Sequence, residues 1–132
     1  MGAAINLINS FKVKAVIFNC GRYNYLEREL IKVLKKKRIP YYSCIDELNL
    51  SQYNLQFLNT KEYDNENDNS NVIYLNYDNY QFLFMGDAGI EKEKDILDAY
   101  SLEDIDFLKV GHHSSNISSS EDFINVLTQT IV

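Results

Sequence analysis

Two short polar stretches combine residue types that can hold a metal ion. In Met85-Gly86-Asp87-Ala88-Gly89 a carboxylate follows a glycine. In Val110-Gly111-His112-His113-Ser114-Ser115 the chain's only two histidines stand side by side. Neutral imidazole is the commonest nitrogen ligand for metals, and carboxylate oxygens complete many such sites. Adjacent residues on an extended chain point to opposite sides, so one histidine can bind while the other orients a group or donates a proton. Asp87 fits a second role equally well, because aspartate is a preferred cap for a helix that starts just after it. Ligand counting sets a bound: a catalytic zinc site takes three protein ligands, and two histidines with no paired cysteines do not close one. A third stretch, Asn67-Asp68-Asn69-Ser70-Asn71, offers amides and a carboxylate to a metal, a water or a phosphate, or is an ordinary polar loop. It lacks the glycine and terminal glutamate of a calcium-binding EF-hand loop.

The elements that must position these groups follow from the apolar pattern. Met1 to Asn9 reads as a short helix, and Lys12 to Phe18 as a strand that becomes continuously apolar. Over Tyr23 to Arg38 the residues Leu26, Leu30, Val33 and Leu34 form an apolar stripe. Asn24 with Glu27 three residues later makes a capping box, and Pro40 marks the end of this helix. Tyr41 to Cys44 then reads as a strand, so a parallel strand–helix–strand unit is expected. Asp46 to Tyr53 reads as polar turn, Leu55 to Leu58 as a short strand, and Lys61 to Asn71 as a loop. Val72 to Tyr77 and Tyr80 to Met85, joined at Asp78-Asn79, form a hairpin. A helix over Ile90 to Tyr100, a strand over Ile105 to Val110 and a helix from Ser119 or Ser120 through Leu127 complete the chain, the last with Phe123, Ile124 and Leu127 inward. Asp87 and His112 thus each follow a strand and a glycine.

At 132 residues the chain is expected to form a single domain over 1–132, and its 45% hydrophobic content suffices for a core. No apolar run is long enough to span a bilayer. Met1 to Ser10 has neither a charged start nor a cleavage site, so no signal peptide is read and the chain as given is expected in the cytoplasm. A Cys20–Cys44 disulfide is geometrically possible, but with no export signal the two are expected as buried free thiols. Residues 1–45 carry nine Lys/Arg and two Asp/Glu, whereas 46–132 carry four and seventeen. The run Lys35-Lys36-Lys37-Arg38 could meet nucleic-acid phosphates. It equally suits a solvated last helical turn, where cations oppose the helix dipole.

Taken together, Asn67 to Val72, Phe82 to Ala88 and Leu108 to Ser115, in that order, resemble metallo-β-lactamase fold hydrolases of the ComEC type, the competence DNA-uptake branch. The resemblance covers essentially the whole chain. It implies an α/β (α+β) fold, a partial αββα sandwich with a mixed sheet. It also implies a zinc or manganese site at the sandwich edge, with Asp87 and His112 as metal ligands. His113 and Asp68 are then the candidates for catalytic duty, and Asn67, Asn69, Ser70 and Ser115 line the site or face substrate. The implied activity is hydrolysis of a phosphodiester, DNA by analogy, or a related ester, by a metal-activated water. A full ComEC-type protein would place this domain on the extracellular face.

Three departures accompany the resemblance. The family's His-x-His-x-Asp-His motif is absent, and Met1-Gly2-Ala3-Ala4 resembles the helix start that follows it. The family's last strands are absent too, and Ser114 stands where glycine is usual. The chain is therefore expected to be truncated at both ends and inactive alone, with metal positions that can stand empty. The alternative is a non-catalytic module that binds a partner or dimerises through an open sheet edge.

Overall fold

The computed structural model describes residues 2–111 and 119–128. Among them the chain is of the α+β class, with four helices, a mixed five-stranded sheet and a separate two-stranded sheet. Helix α1 (Gly2–Ser10), strand β1 (Val16–Phe18), helix α2 (Tyr25–Lys37) and strand β2 (Tyr41–Ser43) form the first unit. β1 and β2 are parallel, with Val16 opposite Tyr41, as the strand–helix–strand order requires. α2 starts where its capping box lies: Glu27 N–H donates to Asn24 Oδ1 at 2.9 Å, and Asn24 N–H donates back to Glu27 Oε2 at 2.8 Å. Its last turn holds Lys35, Lys36 and Lys37, and Arg38 ends it in the left-handed region at φ 57°. Ile8, Phe18, Leu30, Ile31 and Leu34 make the core between these helices and strands.

Two expectations for this unit are corrected. Strand β1 is shorter than Lys12 to Phe18. Its ladder begins at Val16, whose N–H donates to Pro40 O at 3.1 Å. Pro40 has no N–H to return, so pairing goes no further. Cys20 and Cys44 are not free thiols but a disulfide, with Cα atoms 4.7 Å apart. Parallel pairing ends β1 and β2 side by side, and that brings the two cysteines within bridging distance. Nor is the pair buried: Cys20 is half-buried and Cys44 exposed.

The five-stranded sheet has the order β3 (Glu47–Leu50), β4 (Tyr53–Phe57), β5 (Ile73–Tyr77), β6 (Tyr80–Phe84), β7 (Phe107–Lys109). All neighbours are antiparallel except β6 and β7. The segment Asp46 to Tyr53, expected as polar turn, contains all of β3 and only the turn Ser51-Gln52. Leu48 and Leu50 alternate with polar residues and pair across with Leu55 and Tyr53; these cross-strand contacts outweigh the low strand preference of Glu47 and Asn49. The β5–β6 hairpin turns at Asp78 and Asn79, both left-handed at φ 50° and 66°, the geometry that suits a two-residue loop.

Helices α3 (Ile90–Ala99) and α4 (Glu121–Leu127) cover one face of this sheet. Leu83, Met85, Ile96, Phe123 and Leu127 are buried there, with Tyr74 and Leu108 packed against them. Ile124 is half-buried at the margin. The opposite face is apolar as well. One row runs Leu48, Leu55, Leu75, Phe82, Phe107 straight across the five strands, and a second runs Leu50, Tyr53, Tyr77, Tyr80. No helix among the described residues is long and apolar enough to cross a membrane.

Candidate functional site

Strands β6 and β7 run in the same direction and in register, Phe84 opposite Lys109. One further ladder bond follows, Met85 N–H to Lys109 O at 3.1 Å. Gly86-Asp87 and Gly111 therefore leave the sheet at the same end. Both glycines are needed there for space. Gly86 sits at φ 63°, and a Cβ on it would lie 2.9 Å from the Ser70 Cβ. A Cβ on Gly111 would lie 2.3 Å from the Ala88 carbonyl oxygen, a backbone atom that cannot step aside. The exit of β7 is thus packed directly on the peptide that follows Asp87. His112 is next in the chain, but it, His113, Ser114 and Ser115 lie outside the described residues.

The loop Asn65 to Asn71 closes the site from below. Asn65 Oδ1 accepts from Asn67 N–H at 3.1 Å and starts a short 3-10 turn, Glu66–Asn69. Each following side chain then ties one element down. Asp68 is buried, and its Oδ1 accepts from Gly89 N–H at 2.7 Å. Asn69, also buried, spans the Tyr63 backbone with two bonds, 2.9 Å from Tyr63 N–H and 2.8 Å to Tyr63 O. Ser70 Oγ accepts from Asp87 N–H at 3.2 Å. Asn71 binds the end of β1: among the described residues its Oδ1 accepts nothing, its N–H donates to Asn19 Oδ1 at 3.1 Å and its Nδ2 donates to Phe18 O at 3.2 Å.

These bonds remove one reading of Asp87, that of the helix cap. The cap of α3 is Gly89, not Asp87. The carboxylate nearest that helix start is Asp68, brought in from 21 residues away. A negative group is favourable there, where the helix dipole is positive. Asp87 is held by its backbone alone. Its side chain is exposed, and among the described residues its carboxylate has no hydrogen-bond partner.

Beneath the loop lies a charged cluster that sequence reading passed over. Lys92 is fully buried; its Nζ donates to Ser70 O at 3.0 Å and stands 5.6 Å from the Tyr63 ring centre. Burial pushes the Lys92 ammonium below its usual value, against the opposing pull of Asp68 and Asp95. Tyr63 donates to Asp95 Oδ2 at 2.6 Å, and burial followed by that bond pushes the phenol up to about 12. The same Tyr63 hydroxyl, then Lys61 at 3.1 Å, holds Asp95 below the usual carboxylate range. Glu93 is also fully buried: its Oε2 accepts from Ser120 N–H at 2.8 Å and fastens the start of α4, while Oε1 has no partner among the described residues. The available signal was periodicity. Ala88, Lys92 and Ile96 recur at every fourth position, so a lysine sits on the buried face of α3.

The described residues hold no group of three or more His, Cys, Asp or Glu arranged to bind a metal. Asp87 remains the one predicted ligand among them. No protein-family model matches this chain, and no curated protein matches it.

Proposed function

We propose that this chain is part of a metal-dependent hydrolase of the ComEC type, built to cut phosphodiester or related ester bonds, with Asp87 and His112 as metal ligands. The observation that carries this reading is the Asp87 carboxylate: exposed, unpartnered among the described residues, not used as the cap of α3, and followed by Ala88, against whose backbone the glycine before His112 packs. A divalent zinc or manganese ion would supply a polarised water there. In this reading Asp68 and Ser70 position the Asp87 backbone and the start of α3, and Asn67 and Asn69 belong to the same loop. His113 is the candidate for catalytic duty and Ser115 for second-shell or substrate contact; both lie outside the described residues. DNA is the substrate by analogy alone, which is a fold-level warrant.

Two ligands make a weak site, so the chain by itself is expected to turn over little or no DNA. Manganese titration followed by NMR tests the ligand assignment. Paramagnetic broadening is expected to centre on the amides of Asp87, Ala88 and Gly111, and to disappear in Asp87→Asn. Broadening centred on the acidic stretch Asp64 to Asp68 instead, unchanged in Asp87→Asn, sinks it. In a nuclease assay with the same ion, release above an Asp87→Ala blank would contradict the expected inactivity.

A second reading is a non-catalytic module that self-associates through a sheet edge. Its support is that β3 and β7 each pair on one side only among the described strands, and such edges are templates for further pairing.

A further inference from the structure

The Cys20–Cys44 bridge stands where another thiol can reach it. Cys44 is exposed and Cys20 half-buried. A cleft of about 270 Å³ opens over the pair, and Gly21 and Thr60 are among the residues that line it. That is below the roughly 300–1,000 Å³ of pockets for drug-sized ligands, and it suits a small thiol. Exposed or strained disulfides are the labile ones, and two features of the backbone and its neighbours favour opening here. Cys44 has φ 51°, the left-handed region that residues with a Cβ seldom occupy. The closed bridge fixes Cys44 there, and opening it relieves the cost. The other feature is Asn59. Its Nδ2 donates to Ile45 O at 2.8 Å and to Asp46 Oδ1 at 3.3 Å. Those bonds turn Asn59 Oδ1 toward Cys20, 3.4 Å from its Sγ. A disulfide sulfur has no proton to give that oxygen, whereas a thiol at Cys20 has one. The acceptor therefore fits the open form.

We propose that Cys20–Cys44 is a thiol–disulfide exchange site, at which a small thiol is joined to Cys44 and Cys20 is released. The proposal does not depend on the hydrolase reading. The thiolate form of the small thiol is the nucleophile, and it attacks Cys44, the more exposed of the two residues. A new S–S bond forms to Cys44 as the Cys20–Cys44 bond breaks. Cys20 leaves with the electron pair, takes a proton from water and then donates its S–H to Asn59 Oδ1. Kept protonated there, Cys20 is a poor nucleophile for the return attack, because only the thiolate reacts. A second small thiol displaces Cys44 from the mixed disulfide. The two small thiols leave joined and oxidised, and the protein is reduced to two thiols. The covalent brace between the ends of β1 and β2 is thereby reversible.

Mass spectrometry of the full native chain, acid-quenched at intervals after addition of 2-mercaptoethanol, tests this. Trypsin separates the two cysteines, because Arg22 and Arg28 lie between them. The first adduct is expected on Cys44. An adduct formed first on Cys20, or no reaction until urea is added, overturns the proposal. A matched pair of variants, Cys20→Ser and Cys44→Ser, lacks the bridge equally, so any loss of stability is shared. Circular dichroism confirms that both are folded. With 2-hydroxyethyl disulfide as the probe, Cys44 in the first variant is expected to react at least tenfold faster than Cys20 in the second. Equal rates, or the reverse order, also overturn the proposal.

Discussion

At the scale of single residues, the site is decided by which carboxylate does which work. Asp68 and Asp87 are both aspartates near a helix start, but Asp68 is buried and bonded to Gly89, while Asp87 is exposed. Nothing local in the sequence distinguishes them, because the assignment depends on a loop folding back across 21 positions. The same loop hides the Tyr63–Asp95 bond. Tyr63 has a higher pKa folded, about 12, than its ordinary 10.0. The folded state therefore holds the phenol proton more tightly, and this contribution to stability is complete below pH 10 and is lost as pH rises toward 12. Tyr63→Phe is expected to cost about 1–2 kcal/mol at neutral pH, from the lost buried hydrogen bond. It is also expected to remove the latest-titrating phenol from the absorbance titration at 295 nm. Loss of amplitude near pH 10 with the late phase retained would show instead that Tyr63 ionises like an exposed tyrosine.

At the scale of elements, the strongest local signals were read correctly. The Asn24–Glu27 box and the Asp78-Asn79 turn are short-range chemistry, and α2 and the β5–β6 hairpin stand where they point. Strand β3 was illegible because two leucines alternating with Glu47 and Asn49 make too short a pattern to stand out from the polar residues around it, and its stability comes from pairing with β4. Gly111 is the element-scale constraint on the site. It forces β7 to leave the sheet against Ala88, where an added methyl would meet backbone at 2.3 Å. Gly111→Ala is expected to lower stability by about 2 kcal/mol through overpacking. Gly2→Ala, with nothing within 4 Å of the added Cβ, serves as control. Equal thermal midpoints for the two variants would mean that β7 can move away without cost.

At the scale of the whole molecule, two separate cores are joined at a small polar seam. The first unit contributes Asn19 and Cys20, the second Asn69 and Asn71, and the bonds between them include Cys20 N–H to Asn69 O at 3.1 Å. The Cys20–Cys44 disulfide braces the first unit at this seam. The parallel unit that brings the two cysteines together was readable from the sequence; the free-thiol expectation rested instead on the lack of an export signal. The bridge closes a sequence separation of 24, so loop-closure entropy predicts a loss of about 3 kcal/mol on reduction. Urea unfolding with and without a thiol reductant measures this. A midpoint that does not move would show that the bridge does not brace the fold.

The parallel pairing of β6 and β7 also orders events in time. Strands β3 to β6 are joined by antiparallel contacts, and all four have been synthesised by Phe84. β7 follows only after α3, at Phe107. Its contacts with β6 are non-local, so loop-closure entropy must be lost before they give any return. The wall of the candidate site that carries Gly111 is therefore the last part of the sheet to emerge and the slowest to nucleate. Asp87 stands in place before the strand beside it arrives.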